Sequence, residues 1–337
     1  MKSYQFDVDA GPDSLAVVEA PDPVPAAHEV LLRVRATSLN HRDLMIIENR
    51  YYGQPVRSGV IPLSDGAGEV IAVGEGVTRF KVGDRVASLF FSNWFGGPFS
   101  RRHGASQIGS VHDGYLATHR VVDEQSLVQV PAHLSYEEAA TLPCAALTAW
   151  TTLTGGRGVS AGDTVLTLGT GGVSLFAVQF AKLLGARVIS TTSSAAKAVQ
   201  LMALGADHVV NYNEVPDWDQ AVREITGGEG VDCVVEVAGA ATLDKSLRSA
   251  AVGADIGLIG GVGGGKGTLD LGLFAQAVAT LRRIVVGSRA DFEAMNRAIS
   301  IHALHPVVDS VFPFVEAAEA YRHLASGRHV GKIVIAH

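Results

Sequence analysis

Thr164–Val165–Leu166–Thr167–Leu168 runs directly into Gly169–Thr170–Gly171–Gly172–Val173–Ser174, and this succession decides the fold that the sequence predicts. A short apolar strand here enters a glycine-rich turn that opens a helix. Dinucleotide binding needs this arrangement, because glycines let the backbone approach a pyrophosphate at a helix N-terminus, where free N–H groups face the anion. Ser174 stands where the usual G-x-G-x-x-G pattern has its third glycine. A plain structural turn is the alternative interpretation.

Downstream of this turn, short apolar strands alternate with helix-like segments. This alternation predicts a parallel sheet covered by helices on both faces. The predicted strands are Arg187–Thr191, His208–Val210, Cys233–Val237, Ile256–Gly260 and, as the last one, Arg283–Val286; the predicted helices are Val173–Leu184, Ala195–Leu204, Trp218–Ile225 and Leu243–Ala250.

Upstream of the turn, the chain has a different character. Apolar runs such as Val30–Val34 and Gly68–Val73 are separated by turn signals, which predicts an irregular, mostly β domain. The tail, with a predicted helix over Val315–Ala325 and a strand over Gly331–Ile335, leaves the βα rhythm and is expected to return to that first domain. The predicted fold class is therefore α/β: a doubly wound Rossmann sheet over residues 126–289, with a mostly β domain built from 1–125 and 290–337.

Composition narrows the possible partners. The chain has 337 residues, 47% of them hydrophobic, which suffices for about two domains. The net charge is −7 without a basic block, which argues against nucleic acid and anionic membranes as partners. Two cysteines cannot form a disulfide framework, and no run of 18 apolar residues is present. We expect a cytoplasmic protein.

The residues after the second predicted strand bear on the choice of cofactor. An NAD site usually places an acid about 20 residues after the glycine turn, where it binds the ribose 2′-hydroxyl. Here the stretch reads Ser190–Thr191–Thr192–Ser193–Ser194–Ala195–Ala196–Lys197, without a carboxylate. Hydroxyl groups and a cation accept a 2′-phosphate, which favours NADPH. In the alternative interpretation Ser193 or Ser194 caps the next helix and Lys197 is a solvated surface residue.

Several motifs spread over the chain resemble one enzyme superfamily. They are Ser38–Leu39–Asn40–His41–Arg42–Asp43, Pro62–Leu63–Ser64–Asp65–Gly66–Ala67–Gly68–Glu69–Val70, Val82–Gly83–Asp84–Arg85–Val86, Leu142–Pro143–Cys144–Ala145–Ala146–Leu147–Thr148–Ala149–Trp150, the GTGGVS turn and Gly331–Lys332–Ile333–Val334. Together they resemble the medium-chain dehydrogenase/reductase superfamily, and within it the zinc-free branch similar to quinone oxidoreductases. The resemblance covers essentially the whole chain and implies that the mostly β domain is GroES-like and catalytic.

The sequence departs from the zinc-dependent members of that superfamily. Asn40 occupies the position of their first zinc-binding cysteine, and Leu63–Ser64–Asp65 replaces their Gly-His-Glu motif. The stretch from Ser88 to His119, which corresponds to their structural-zinc lobe, contains no cysteine. Zinc needs three or four converging N, S or O ligands. The sequence therefore predicts no metal site.

The resemblance also implies roles in the substrate pocket. Relatives carry an asparagine at the position of Asn40, so the resemblance makes this residue catalytic, with a turn-stabilising side chain as the alternative. Tyr51 and Tyr52 fall where relatives place pocket aromatics, although tyrosines in a loop also serve for packing. Hydroxyl donors for a developing oxyanion are Tyr52, Tyr51 or Ser64. Asp43 is expected to order its loop, and Cys144 to pack without acting as a nucleophile.

A larger set of residues is assigned to the cofactor. Thr148, Lys197 and Tyr212 resemble cofactor contacts of relatives, and the others follow strands on the edge where nucleotides bind. The predicted cofactor-binding residues are Thr148, Gly169, Thr170, Gly171, Gly172, Val173, Thr192, Ser193, Ser194, Lys197, Tyr212, Val237, Ala238, Ile259, Gly260, Gly287, Ser288, Arg289 and Lys332.

The function that these residues predict is hydride transfer from NADPH to a quinone or an α,β-unsaturated carbonyl, without zinc. One alternative is a zinc-free alcohol/carbonyl oxidoreductase, and another is a non-catalytic nucleotide-binding module. The predicted last strand, Arg283–Val286, is apolar and would form an exposed sheet edge. Such an edge invites pairing across a two-fold axis, so we expect a homodimer.

Overall fold

The computed structural model describes residues 1–7, 10–51, 56–261 and 267–337. The chain divides into two compact units, one formed by Met1–Leu147 together with Gly287–His337 and the other by Thr148–Val286. The strands are β1 Lys2–Gln5, β2 Ala16–Glu19, β3 Glu29–Ser38, β4 Asp65–Val73, β5 Arg85–Ser88, β6 His119–Asp123, β7 Leu127–Gln129, β8 Thr164–Leu168, β9 Arg187–Thr192, β10 His208–Asn211, β11 Val231–Glu236, β12 Ala250–Leu258, β13 Thr280–Arg283, β14 Val308–Pro313 and β15 Lys332–Ala336. The α-helices are α1 His41–Ile47, α2 Arg101–Gly104, α3 Tyr136–Ala139, α4 Leu147–Thr154, α5 Gly172–Leu183, α6 Ala195–Ala203, α7 Trp218–Ile225, α8 Leu243–Ser249, α9 Leu271–Ala277, α10 Arg289–His302 and α11 Ala317–Ala325.

The second unit is built on a parallel sheet in the order β10-β9-β8-β11-β12-β13. Its central strands are apolar runs buried on both faces, as expected when helices cover both sides. The chain starts at the centre with β8, moves outward to β10, and returns with β11 on the other side of β8. This reversal creates a topological switch point, where open α/β sheets bind ligands at the carboxyl ends of their strands. The predicted doubly wound sheet is confirmed.

The last strand of this sheet differs from the prediction. It is Thr280–Arg283, where we expected Arg283–Val286. Val278 ends α9 in a left-handed conformation with φ 48°, so an extended segment begins two residues later. Val286 has φ 55°, which an extended β-branched residue does not adopt. The strand therefore lies earlier in the chain than its apolar pattern indicated.

The first unit contains a sheet in the order β14-β15-β3-β4-β5-β7, with β6 also paired to β3. Side chains of β3 alternate, with Val30, Leu32 and Val34 buried and Arg33 and Arg35 exposed, which is the period of a half-buried strand. The tail returns to this unit as expected, because β15 pairs antiparallel with the end of β3. That pairing places the beginning of β15 near the beginning of α1.

The boundary between the units also differs in position from the one expected from sequence. We placed residues 126–147 in the nucleotide-binding domain, and the structure places them in the first unit. The reason is β7, which pairs antiparallel with β5 and so joins the sheet of that unit. Within the described residues, no helix is both long and apolar enough to cross a bilayer.

Candidate active site and cofactor-binding edge

Asn40 lies at the centre of a polar cluster in the first unit. It directly precedes α1, at the end of β3. Its amide nitrogen Nδ2 donates to Asp65 Oδ2 over 3.0 Å, and its oxygen Oδ1 accepts from Lys332 Nζ over 2.6 Å. A reversed amide would place –NH₂ against an ammonium and C=O against a carboxylate, so the neighbours fix the assignment of the two atoms. The carboxamide is held at both ends.

Asp65, the first residue of β4, is the buried anchor of this cluster. Its carboxylate accepts from Ser64 Oγ at 2.7 Å and from the backbone N of Cys144 at 3.1 Å, in addition to Asn40. Burial raises the pKa of Asp65, while the nearby Lys332 ammonium opposes that shift. Three donors therefore converge on a carboxylate without access to solvent.

Asn40 is only partly buried, in contrast to the groups that hold it. Lys332 is 3% exposed and Asp65 fully buried, so Asn40 is where this polar cluster reaches the surface of its unit. Asp43 Oδ2 accepts from the backbone N of Asn40 at 2.7 Å, which orders the start of α1 as predicted from the sequence. Burial raises the pKa of Asp43 to about 6, with Arg42 acting in the opposite direction. Among the described residues, the second N–H of the Asn40 amide has no acceptor.

Arg42 links α1 to the segment that follows α2. Its guanidinium donates to Ile108 O at 3.0 Å and to Ser110 Oγ at 3.2 Å. It also lies over the rings of Tyr51 and Phe90, 5.0 and 4.6 Å from their centroids. This buried cation is held by one carbonyl oxygen, one hydroxyl oxygen, two aromatic faces and the Asp43 carboxylate 3.8 Å away, which together offset the loss of its hydration.

Tyr51 is held from the same segment. Gln107 Nε2 donates to Tyr51 Oη at 2.9 Å, and Ser110 Oγ donates to Gln107 Oε1 at 2.8 Å. The Tyr51 hydroxyl therefore has a fixed position in the first unit. Tyr52, the tyrosine that we predicted to be catalytic, lies outside the described residues.

The glycine turn of the second unit has the geometry that the sequence predicted. Gly169 has φ 72°, and Gly171 caps α5 in an extended conformation without a side-chain cap. A Cβ added to either glycine would meet no atom within 4 Å, so contacts with the fold do not require glycine at Gly171, whereas the positive φ of Gly169 favours glycine by itself. Ser174 Oγ donates to Leu168 O at 2.6 Å, which ties α5 to β8 at the position of the absent third glycine. The first amides of α5 have no carbonyl partner inside the helix, so the turn suits a pyrophosphate.

The end of β9 combines polar groups with and without partners. Ser194 Oγ caps α6 by accepting from Lys197 N, so the capping interpretation applies to Ser194. Thr192 is 1% exposed, and its hydroxyl has no partner among the described residues. Tyr212 follows β10 and is 39% exposed, and its backbone N donates to Thr192 O. In the described part of the chain, neither the Lys197 ammonium nor the Tyr212 hydroxyl bonds to a protein group, which leaves both available to an anionic ligand.

Glu236 shapes the neighbouring edge at the end of β11. Its Oε1 accepts from the backbone N of Ala238 and of Gly239, each at 2.9 Å, and from Thr242 Oγ1 at 2.8 Å, while Oε2 accepts from Ser246 Oγ. The residue is fully buried, and a carboxylate with four donors needs no cation nearby. This acid therefore fixes the turn that carries Val237 and Ala238.

The loop after β12 lies against that turn. A Cβ on Gly260 would stand 2.4 Å from Val237 O, so only glycine permits the approach. Ile259 N donates to Glu236 O at 2.9 Å. Val237, Ala238, Ile259 and Gly260 are thus brought together at the carboxyl ends of adjacent strands, as the sequence predicted.

Replacing Glu236 with alanine is expected to lower the free energy of unfolding by about 3–5 kcal/mol, because four buried donors lose their acceptor. Glu236→Gln keeps one carbonyl oxygen for the three donors on Oε1 and is expected to lose only about 1–2 kcal/mol. Urea denaturation followed by fluorescence and circular dichroism measures both. An alanine variant as stable as the wild type would contradict this account of the turn.

Three residues predicted for the cofactor do not lie at the end of a strand, and two of them bond to other protein groups. Gly287, Ser288 and Arg289 do not end a strand, since β13 stops at Arg283, and they belong to the first unit. Ser288 caps α10 with Asp291 in a reciprocal capping box. Arg289 donates to Gln125, so its guanidinium is engaged by the protein. Their predicted position at a strand end was wrong because the last strand lies earlier in the chain than expected.

Comparison with known proteins identifies the family to which the chain belongs. The family model of the alcohol dehydrogenase GroES-like domain matches residues 26–132, and that of zinc-binding dehydrogenases matches residues 172–300. A zinc-type alcohol dehydrogenase-like protein of Schizosaccharomyces pombe is 42% identical over 313 residues, which cover 91% of this chain and 90% of the relative. The chain belongs to the medium-chain dehydrogenase/reductase superfamily.

Other relatives place this medium-chain dehydrogenase/reductase with the quinone-oxidoreductase-like members, and it is an oxidoreductase. A quinone oxidoreductase of Pseudomonas aeruginosa is 31% identical, with 99% of both chains covered. An acryloyl-coenzyme A reductase of Metallosphaera sedula is 30% identical, with 95% of both covered.

Solved structures agree on the fold of the whole chain. A Sinorhizobium meliloti protein described as an alcohol dehydrogenase superposes with a TM-score of 0.92 and 38% identity, covering 100% of this chain and 99% of the other. An NAD-dependent alcohol dehydrogenase gives 0.90 and 34%, and a mycobacterial protein complexed with NADPH gives 0.83 and 31%, each with full coverage of both chains. These neighbours support a nicotinamide cofactor.

In this medium-chain dehydrogenase/reductase, the remaining predicted residues lie as follows. Ser64 is fully buried and its hydroxyl proton is committed to Asp65, so it stands behind Asn40. Lys332, predicted for the cofactor, donates instead to Asn40 Oδ1 and to Leu39 O. Burial raises the pKa of the Cys144 thiol well above its usual range, in keeping with a packing role. Thr148 is buried in α4, where its carbonyl accepts from Thr152 Oγ1 at 2.7 Å.

Sequence reasoning missed two functional candidates. The motif comparison marks Asp65 only as a departure from the zinc-binding pattern, and it does not mark Glu236 at all. The signal for Glu236 was present, because it is the one acid within the otherwise apolar run Cys233–Val237. An acid in such a place is buried and needs donors, which predicts that it organises the following turn.

Proposed function

We propose that the protein reduces quinones or α,β-unsaturated carbonyls with NADPH, without a metal ion. The observation that carries this proposal is the Asn40 carboxamide, fixed at both ends and with one N–H left at the surface of its unit. Bound NADPH supplies a hydride. The chain supplies a hydrogen-bond donor for the substrate oxygen, on which negative charge develops when hydride arrives.

The acceptor class follows from the strength of that donor. A zinc ion stabilises a developing oxyanion by several kcal/mol as a Lewis acid. An amide N–H is weaker, so we propose substrates that spread the charge by conjugation. The quinone oxidoreductase and acryloyl-coenzyme A reductase among the relatives support this class, since acryloyl-coenzyme A is an α,β-unsaturated thioester. The tyrosine hydroxyls of the 51–52 stretch are candidates for supplying the proton.

The choice of NADPH rests on the end of β9. Thr192, Lys197 and Tyr212 offer two hydroxyls and an ammonium without protein partners among the described residues. Asn213 Nδ2 donates to Ser193 O at 2.7 Å, which ties this segment to the residues after β10, and Ser194 caps α6. No carboxylate follows β9 directly to repel a 2′-phosphate. The neighbour complexed with NADPH supports this choice, whereas the NAD-dependent neighbour makes NADH the comparison to include in the assay.

Zinc independence gives a direct prediction. The Lys332 ammonium stands 2.6 Å from Asn40 Oδ1, so a divalent cation at the Asn40 amide would be repelled by a fixed positive charge. We expect purified protein to contain well under one zinc per chain, on the order of 0.1 or less given weak adventitious binding, and to keep its activity in EDTA. Metal analysis showing one tightly bound zinc, with loss of activity in chelator, would contradict the proposal.

A turnover screen tests the function as a whole. NADPH and NADH are offered in parallel with enones, quinones, saturated ketones and alcohols, and the absorbance of the reduced cofactor is followed. We expect enones or quinones with NADPH to react fastest. Faster turnover of saturated ketones and alcohols would favour the alternative of a zinc-free alcohol/carbonyl oxidoreductase, which the alcohol dehydrogenase neighbours support.

We also propose a cytoplasmic homodimer. In the corrected topology β13 is the edge strand of the second unit's sheet, and an unpaired edge is a template for a second copy. We expect sedimentation at twice the chain mass of 35.2 kDa. A monomer across the micromolar concentration range would overturn the dimer without affecting the proposed chemistry.

A further inference from the structure

Lys332 and Asn40 form an unusual buried contact. The ammonium donates to two neutral oxygens, Leu39 O and Asn40 Oδ1, and lies within 4 Å of no carboxylate among the described residues. Burying an ammonium costs several kcal/mol unless its surroundings compensate. Burial lowers the pKa of Lys332, whereas the carboxylates of Asp65 and Asp43, which lie beyond ion-pair distance, act in the opposite direction. Because burying this ammonium is unfavourable, we expect Lys332 to have a role other than packing.

The hydrogen bonds of the Asn40 carboxamide indicate what that role is. Lys332 holds the carbonyl end of the Asn40 side chain and Asp65 holds one N–H at the other end. Rotation of the carboxamide about its last bond would break both hydrogen bonds and bring like groups together. A hydrogen bond from a cation to the amide oxygen also polarises the amide, which makes its remaining N–H a stronger donor.

We infer that Lys332 is a positioning residue that acts through Asn40: together with Asp65 it fixes the carboxamide so that the second Nδ2–H points at the substrate oxygen. This inference rests on the proposed function for the role of Asn40. It differs from the assignment of Lys332 to the cofactor, because the residue then influences the acceptor and not the binding of NADPH. It also implies that the substrate offers an oxygen as hydrogen-bond acceptor to Asn40, since the N–H of Asn40 is a donor.

The test is a double-mutant cycle between Lys332→Met and Asn40→Ala. Lys332→Met is expected to lower kcat about 10-fold, corresponding to about 1.4 kcal/mol, with the Kd of NADPH changed less than about 2-fold. In the Asn40→Ala background, Lys332→Met is expected to have no further effect on kcat, because the group through which it acts is gone. Lys182→Met, which removes a partly exposed lysine paired with Asp207 in the second unit, is the control and should leave kcat unchanged.

Two results would overturn the inference. One is a Lys332→Met effect on kcat of equal size with and without Asn40. The other is a rise of about 10-fold or more in the Kd of NADPH with kcat retained, which would return Lys332 to the cofactor. If Lys332→Met does not fold, Lys332→Arg takes its place. It keeps the charge opposite Asp65 and Asp43, while its planar head group cannot place a donor where Nζ stands.

A second readout separates this inference from the proposed function. With asparagine-selective ¹⁵N labelling, the side-chain NH₂ signals of Asn40 are assigned by their loss in Asn40→Ala. We expect them to move in the lysine variant in the absence of any substrate. If the wild type turns over no compound of the screen but these signals move, the proposed function fails and the positioning role stands. If the signals stay in place, the positioning role is wrong whatever the activity.

Discussion

Asn40→Ala is expected to lower kcat about 100-fold while the Kd of NADPH changes by less than about 2-fold. Removing one preorganised donor to a developing oxyanion lowers kcat by about 100–1,000-fold in other enzymes, and conjugation in the acceptor places this case at the low end. The variant also frees an Asp65 hydrogen-bond site, but Asp65 keeps the Ser64 hydroxyl and the Cys144 amide as donors. Stopped-flow measurement of cofactor oxidation under single turnover separates the chemical step from release.

Matched variants sharpen that experiment. Asn296 Nδ2 donates to Gln129 O at 2.9 Å in the same unit, so Asn296→Ala also removes a hydrogen-bonded carboxamide, in this case a buried one, and should lower stability without a comparable loss of kcat. Asn40→Asp places a carboxyl group beside Asp65. Two adjacent carboxylates raise the pKa of the pair, and only the protonated form donates, so the remaining activity should fall as pH rises. An unchanged kcat in Asn40→Ala would contradict the role of Asn40 as the hydrogen-bond donor, on which the proposed function rests.

Lys197→Ala is expected to raise the Kd of NADPH about 30-fold and to leave the Kd of NADH within about 2-fold. A charge-assisted hydrogen bond to phosphate contributes about 1.5–3 kcal/mol, and 30-fold corresponds to about 2 kcal/mol. NADH has no 2′-phosphate, so it loses nothing when the ammonium is removed. Fluorescence titration of the reduced nicotinamide gives both constants.

The control for this variant is Lys182→Ala, another lysine of the second unit, whose ammonium is already paired with Asp207. It should change neither constant. Tyr212→Phe should weaken NADPH in the same direction as Lys197→Ala, since the exposed hydroxyl at the end of β10 is the second available donor. Equal losses for NADPH and NADH in Lys197→Ala would show that the residue does not read the 2′-phosphate.

The sheet of the second unit was predictable because each strand and each turn is marked by a few consecutive residues of the sequence. Each strand is a short apolar run and each turn contains glycine, so periodicity alone gave the βα order and the position of the Gly169–Ser174 turn. The last strand was not predictable in this way. Leu281 and Ile284 fit an apolar pattern in either register, and the choice depends on the left-handed conformations of Val278 and Val286. Neither residue type signals such a conformation.

The network around Asn40 was beyond sequence reasoning for another reason. Lys332 and Asn40 are 292 positions apart, and their contact exists only because β15 pairs with β3. The resemblance pointed to Asn40, whereas Lys332 was predicted to contact the cofactor and Ser64 to offer a hydroxyl to the substrate oxygen. Both side chains are buried, and their burial depends on how the tail and β4 pack against the start of α1.

The position of Arg42 has a consequence for protein engineering. This residue lies in the first turn of α1, two positions after Asn40, and its guanidinium grips Ile108 O and Ser110 Oγ. The position of α1 therefore depends on the 108–110 loop. If a loop with a different backbone were transplanted from a relative, these hydrogen bonds would be lost or would shift α1, and with it Asn40 at its start. Chimeras designed to change substrate range should exchange both segments together, or neither.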